Sequence, residues 1–164
     1  MILFVQMNAQ PGRCPKIPEK YAWNTEAEYR KDEDHVRKVL RWLCQTPLGF
    51  DLSDRYVANA YVLEWIAGSP SLLVQIETSK IPFSESHPDL LYTFIHAIAL
   101  YKLDHPGILD EQILYKEGFE TVAELVVQSK ELSRAKELKS LIRAYNKKKL
   151  KEYTKEALKG HEKI

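Results

Sequence analysis

The first residues that could do chemistry are two carboxylates and an imidazole, Glu28, Asp32 and His35, spaced at i, i+4 and i+7. On a helix this spacing places all three side chains along one face. Asp32-x-x-His35 also matches half of the acid-x-x-His pattern of carboxylate-bridged metal sites in helical bundles. No other histidine has an acid three residues earlier, so the second half is missing. The pattern favours a solvated helix face whose acids interact with the helix dipole, and the metal set is a weak candidate.

A second candidate is the pair Glu64 and His96, because each is a titratable residue within an otherwise apolar segment. A buried carboxylate is costly unless it is paired, and an imidazole partner would give an acid–base couple with shifted pKa values. The pair defines an alternative function, a small hydrolase-like enzyme, although a simple polar contact explains it as well. The sequence lacks G-x-S-x-G, G-x-G-x-x-G and G-x-x-x-x-G-K motifs, so no nucleophile elbow, phosphate loop or cofactor is predicted.

The last candidate is a basic tail. Residues 130–164 carry twelve Lys/Arg and five Glu, a net +7, whereas residues 1–129 carry a net −6. Four closely spaced lysines of this tail could contact phosphates on an anionic surface: Lys147, Lys148, Lys149 and Lys151. Alternatively, these lysines form the wet face of an amphipathic helix and pair with Glu152 and Glu156 at i, i+4 spacing. Nucleic acid is disfavoured, because the tail has little arginine for base readout and no aromatic stacking platform.

The elements that must position these residues are helices. Thr25 and Glu28 form a capping box that begins a first helix running to about Cys44. Asp51 or Ser53 can cap a second helix that ends at Gly68. The second helix is indicated by an apolar stripe at three-to-four spacing: Leu52, Tyr56, Ala60, Leu63 and Ala67.

Four further signals follow. Ser86 with Asp89 begins a third helix, which is apolar on nearly every face and therefore belongs in the middle of the fold. A fourth helix covers about 109–128, with Gly118 as a weak point. A fifth helix follows from Ala135 to about Asn146, and a short last helix covers about 150–157. Residues 71–83 show neither a helical nor a strand pattern. The prediction is an all-α fold, an irregular bundle or array of five to six helices.

The length of 164 residues predicts one helical domain over 11–164. Residues 1–10, MILFVQMNAQ, are typical of the end of a secretory signal peptide and predict export to the periplasm or exterior. The alternative is an apolar N-terminal arm docked on the core of a cytoplasmic protein. No run approaches the ~20 apolar residues that a membrane span needs. Cys14 and Cys44 are compatible with one disulfide or with two free thiols.

Three short segments carry a resemblance: Trp23-Asn24, Leu63-Glu64-Trp65 with Gly68-Ser69-Pro70, and Pro88-Asp89-Leu90-Leu91. From about Ile17 to Tyr153 the chain resembles a group of uncharacterised small exported all-helical proteins of bacteria. The resemblance implies the fold and export, and it implies no activity, ligand or catalytic residue. Since catalytic constellations are also missing, the sequence predicts a non-enzymatic exported module that binds a protein partner or a small apolar ligand.

Overall fold

The computed structural model describes residues 12–160, in which six α-helices account for most of the chain and no strand is present. Three short 3-10 turns supplement them, at Thr78–Lys80, Leu132–Arg134 and Lys136–Leu138. The prediction of an all-α fold with five to six helices is confirmed. The helices are α1 (Glu26–Gln45), α2 (Leu52–Gly68), α3 (Pro88–Asp104), α4 (Glu111–Gln128), α5 (Lys139–Asn146) and α6 (Leu150–Leu158).

The start of α1 follows the capping box read from the sequence. The Thr25 hydroxyl accepts a hydrogen bond from the Glu28 N–H, and the Glu28 carboxylate accepts from the N–H groups of Asn24 and Thr25 at 2.7 and 2.9 Å. These bonds satisfy amides that the first helical turn would leave without partners. The Glu28 carboxylate is thereby committed to the backbone.

The third helix is the central element, as its uniformly apolar sequence predicted. Its Phe94 and Ile98 pack with Phe119 and Val122 of α4 in one core cluster, which α5 and α6 close from outside. Its last turns contribute Ala99 and Leu103 to a second cluster with α1 and α2. Ser86 does not cap this helix, contrary to prediction: His87 is the N-cap, it makes no side-chain cap bond, and Pro88 occupies the first turn.

Gly118 marks a close approach between α3 and α4. A Cβ at this position would lie 2.5 Å from the Phe94 ring, so the absence of a side chain lets the two helices pack. The glycine that looked like a weak point in the sequence is therefore a packing requirement. The fifth helix is shorter than predicted, because residues 132–138 form two successive 3-10 turns before α5 begins at Lys139.

Residues 12–24, which we call the lead-in, and residues 71–83 lie against the helices without forming helices longer than a single turn. Indole N–H groups fix the lead-in: Trp42 donates to the Gly12 carbonyl at 2.7 Å and Trp23 to the Asp32 carboxylate at 2.8 Å. The Glu77 N–H donates to the Tyr115 hydroxyl of α4 at 2.8 Å. The predicted signal remnant at residues 1–10 lies outside the described residues. Within 12–160, no helix is both long enough and apolar enough to cross a membrane.

Candidate functional site

The second helix is apolar on two opposite sides, and within residues 12–160 only one of them is covered. Its buried apolar residues, Ala58, Tyr61, Val62 and Trp65, face α1 and α3 in the second core cluster. At 100° per residue, the centre of these buried positions lies roughly 200° around the helix axis from the centre of the predicted stripe, which consists of Leu52, Tyr56, Ala60, Leu63 and Ala67. A helix that is apolar all round is normally buried all round. Here half of its apolar surface faces solvent.

We call this exposed surface the α2 face. It consists of Leu52, Tyr56, Ala60, Leu63 and Ala67, flanked by Phe50 and Val57. The side chains at its N-terminal end are the most exposed: Tyr56 at 77%, Leu52 at 66%, Val57 at 47% and Phe50 at 42%. The stripe that indicated the helix in the sequence is therefore its solvent side, and the sequence did not identify Phe50 or Val57. Exposed apolar patches larger than a few hundred Å² are typical of interaction sites.

One acidic residue, Glu64, is exposed at the edge of the α2 face. Asp51 caps the helix by accepting from the Asp54 N–H, and both of these carboxylates act on Cys14, where they raise the pKa of the thiol. The only base in this helix, Arg55, is buried and committed to the protein interior. Burial, reinforced by the neighbouring Glu64 carboxylate, raises the pKa of the Tyr21 phenol. The surface thus combines apolar side chains with one carboxylate, Glu64, at its edge.

Arg55 anchors α2 to the end of α1. Its guanidinium donates to the Leu43 carbonyl at 3.3 Å and to the Thr46 carbonyl, and it lies 5.9 Å from the centroid of the Trp42 ring. These carbonyls belong to the C-terminal end of α1, where a cation is stabilised by the helix dipole. Burial lowers the pKa of Arg55. The sequence signal for this anchor is the single base, Arg55, within an otherwise largely apolar helix.

The structure does not bring Glu64 and His96 together. Glu64 is exposed at the edge of the α2 face, whereas His96 is 1% exposed and neither ring nitrogen has a hydrogen-bond partner within residues 12–160. Burial, and secondarily the charge of Arg55, lowers the pKa of His96 to about 3. The predicted acid–base couple is wrong, because a neutral core imidazole and a surface carboxylate cannot share one cleft.

Each member of the Glu28, Asp32 and His35 set contacts the protein itself. Glu28 serves the capping box, Asp32 accepts the Trp23 indole N–H, and the His35 ring packs edge-on against Tyr61 at 5.7 Å between centroids. Among the residues that the structure describes, no group of three or more His, Cys, Asp or Glu side chains is arranged to hold a metal ion. The three residues secure α1 to the lead-in and to α2.

Cys14 and Cys44 are free thiols in the structure. Burial raises the pKa of Cys14 to about 11, with the Asp54 and Asp51 carboxylates adding to the effect. Burial raises the pKa of Cys44 to about 12. A thiol must ionise to act as a nucleophile, so neither group is activated at neutral pH.

The basic tail is divided by a turn between α5 and α6. Lys148 has a left-handed φ of 57°, and the Lys149 N–H donates to the Ala144 carbonyl at 2.8 Å in a Schellman-type closure. Lys147 lines one cleft and Lys148 and Lys151 line another, with Asn146 shared between them. The four predicted lysines therefore do not form one site. None of them forms an ion pair with Glu152, Glu156 or any other described acid.

Comparisons with known proteins assign no role to these residues. The resemblance to small exported helical proteins of bacteria stays a prediction. A scan against protein-family models, a search of curated proteins and a search of solved structures each returned no match.

Proposed function

We propose that this chain is a non-enzymatic helical module that binds a partner protein through the α2 face. The observation that carries the proposal is the exposed apolar stripe of α2, which lies opposite a second apolar stripe that α1 and α3 already cover. Leaving such side chains in water forfeits about 25 cal/mol for each Å² of apolar area that could be buried. A partner that covers the stripe recovers this free energy.

A protein partner fits this surface better than a small apolar ligand. Ligand sites are concave, with typical volumes of ~300–1,000 Å³. The α2 face is the convex side of a helix, which suits a groove or a second helix on another protein. A cleft that includes Leu73, Ile98, Leu109 and Leu114 has a volume of about 220 Å³, which is below that range.

The border of the α2 face indicates the chemistry of the partner. Glu64 is exposed at the edge of the apolar side chains, and the one base of this helix is buried. Complementary charge at an interface accelerates association and disfavours wrong partners. The expected partner therefore presents an apolar patch flanked by lysine or arginine.

A matched pair of double variants tests the proposal. Leu52→Ser with Tyr56→Ser removes the two most exposed large apolar side chains of the α2 face. Leu73→Ser with Leu109→Ser removes leucines of 65% and 82% exposure from a different surface. Both variants are expected to stay within about 0.5 kcal/mol of the parent stability, because the four side chains are exposed. Immobilised proteins are then incubated with an extract of the source cells, and captured proteins are quantified.

The parent and the Leu73/Leu109 variant should capture the same partner, and the Leu52/Tyr56 variant should lose it at least ~10-fold, which corresponds to about 1.4 kcal/mol. Equal capture by both variants would remove the α2 face from the interaction. Urea unfolding of each variant establishes that loss of capture is not loss of fold.

We also propose that the protein is exported and belongs with the small exported helical proteins of bacteria that it resembles. The apolar run of residues 1–5 and the small residue Ala9 support export, and they lie outside the described residues. Mass spectrometry of the protein from its source cells tests this. A mature N-terminus near Gln10 supports export, and an intact N-terminus contradicts it.

A further inference from the structure

A shallow groove on α5 is lined by three cations and by no acid among the residues that the structure describes. Its volume is about 370 Å³. Six residues line it: Ser133, Lys139, Ile142, Arg143, Asn146 and Lys147. We propose that this groove binds a phosphate group carried by a compact, multiply charged ligand, independently of the α2 face.

The spacing of the cations supports the assignment. Lys139, Arg143 and Lys147 follow one another at i, i+4 and i+8, so their side chains rise from the same side of the helix within about 12 Å along its axis. Like charges at i, i+4 destabilise a helix, and here they occur twice in succession. A bound anion would offset this repulsion.

No acid of the described part of the chain pairs with the groove cations. Within residues 12–160 no acid lies within ion-pair distance of Lys139, Arg143 or Lys147, although Lys159, Lys116 and Arg30 all have such partners. Glu137, the acid closest to α5 in sequence, instead lies 3.9 Å from the His87 ring. The positive charge of the groove is therefore available to a ligand.

The polar groups between the cations suit a phosphate. The Asn146 amide can donate hydrogen bonds, and an arginine fork matches phosphate oxygens two at a time. The neighbouring cleft fits an anion less well. It includes Lys148 and Lys151, but its third lysine, Lys116, is paired with Glu117 at 3.3 Å and with Glu120.

Pyrophosphate is the probe for a free ligand, and vesicles of phosphatidic acid in phosphatidylcholine are the probe for a lipid headgroup. Titration calorimetry and vesicle sedimentation are performed with the full chain and with Lys139→Glu, Arg143→Gln and Lys155→Glu. Lys155 is exposed on α6 and lines neither cleft, so Lys155→Glu reproduces the net-charge change of Lys139→Glu away from the groove.

We expect the parent chain to bind one pyrophosphate, with an affinity that falls as salt is added. The affinity should weaken at least ~10-fold in Lys139→Glu and Arg143→Gln and change less than ~2-fold in Lys155→Glu. Vesicle binding with the same variant pattern, displaced by pyrophosphate, would identify a lipid as the source of the phosphate. Binding by neither probe would overturn the proposal. An equal loss in Lys155→Glu would also overturn it, because net charge alone would then explain the binding.

Discussion

Replacing His96 by leucine should remove a component of the pH dependence of folding. The imidazole is buried, and its pKa is lowered to about 3 by burial and by Arg55, whereas in an unfolded chain it is about 6.5. Between these values the unfolded chain binds a proton that the folded chain does not. Lowering the pH through this window therefore favours unfolding.

The size of the effect follows from the two pKa values. Between pH 7 and pH 5 the unfolded state gains about 2 kcal/mol from protonation of this one histidine, while the folded state gains almost nothing. The result depends little on the exact folded value, provided that it lies well below 5. At pH 7 the leucine variant should also be at least as stable as the parent, because neither ring nitrogen has a partner within the described residues.

Urea unfolding at pH 5, 6, 7 and 8 measures the effect as a difference between variants. Other titrating groups cancel in the comparison of the parent with His96→Leu. Thr93→Val is the control, since Thr93 is equally buried on the same helix and does not titrate. The parent and Thr93→Val should lose about 2 kcal/mol more than His96→Leu between pH 7 and pH 5. Parallel pH profiles for all three proteins would refute the buried, neutral imidazole.

Three further substitutions test the packing. Gly118→Ala should lower the free energy of unfolding by about 1–2 kcal/mol, because overpacking against Phe94 outweighs the gain in helix propensity. Gly49→Ala is the control and should be nearly neutral, since nothing lies within 4 Å of a Cβ at that position. Urea unfolding measures both variants, and equal effects would contradict the close approach of α3 and α4. Arg55→Met should cost about 2–3 kcal/mol in the same assay by leaving two carbonyls at the end of α1 without donors, and a neutral result would show that Arg55 is not an anchor. Lys148→Gly should stabilise the protein by about 1 kcal/mol and so raise the midpoint of thermal unfolding, because glycine adopts the left-handed conformation without strain. An unchanged midpoint would argue against that conformation.

The sequence predicted the helices well because caps and breakers act locally. The capping box at Thr25 and Glu28 and the end of α2 at Gly68 depend only on neighbouring residues, and both occur where expected. The cap at Ser86 was wrong because a hydroxyl that donates to the Phe83 carbonyl cannot be distinguished in sequence from one that accepts a helix amide.

Which side of α2 faces the core could not be read from its sequence. Leu52 and Tyr56 repeat at helical spacing as regularly as Ala58 and Tyr61, so periodicity identifies the helix without identifying its buried side. The choice is made by tertiary packing, through the Arg55 anchor at the end of α1. The burial of His96 was indicated by its apolar neighbours, but its separation from Glu64 depends on how α2 and α3 pack.

The turn that divides the basic tail was also hidden. A left-handed residue after a helix is usually glycine, and here the position is Lys148 within a run of three lysines. The sequence therefore grouped the lysines of residues 147–151, whereas the structure groups Lys147 with Lys139 and Arg143 of the preceding helix.

Photocrosslinking in the source cells tests the central claim, that the α2 face binds a partner protein, most directly. A photoreactive phenylalanine replaces Tyr56, which is 77% exposed on the α2 face, or Tyr92, which is 39% exposed on α3. The account predicts a crosslink to one defined partner protein from position 56 and not from position 92. A crosslink from position 56 only to residues 1–11 of the same chain, or to no protein at all, would contradict it.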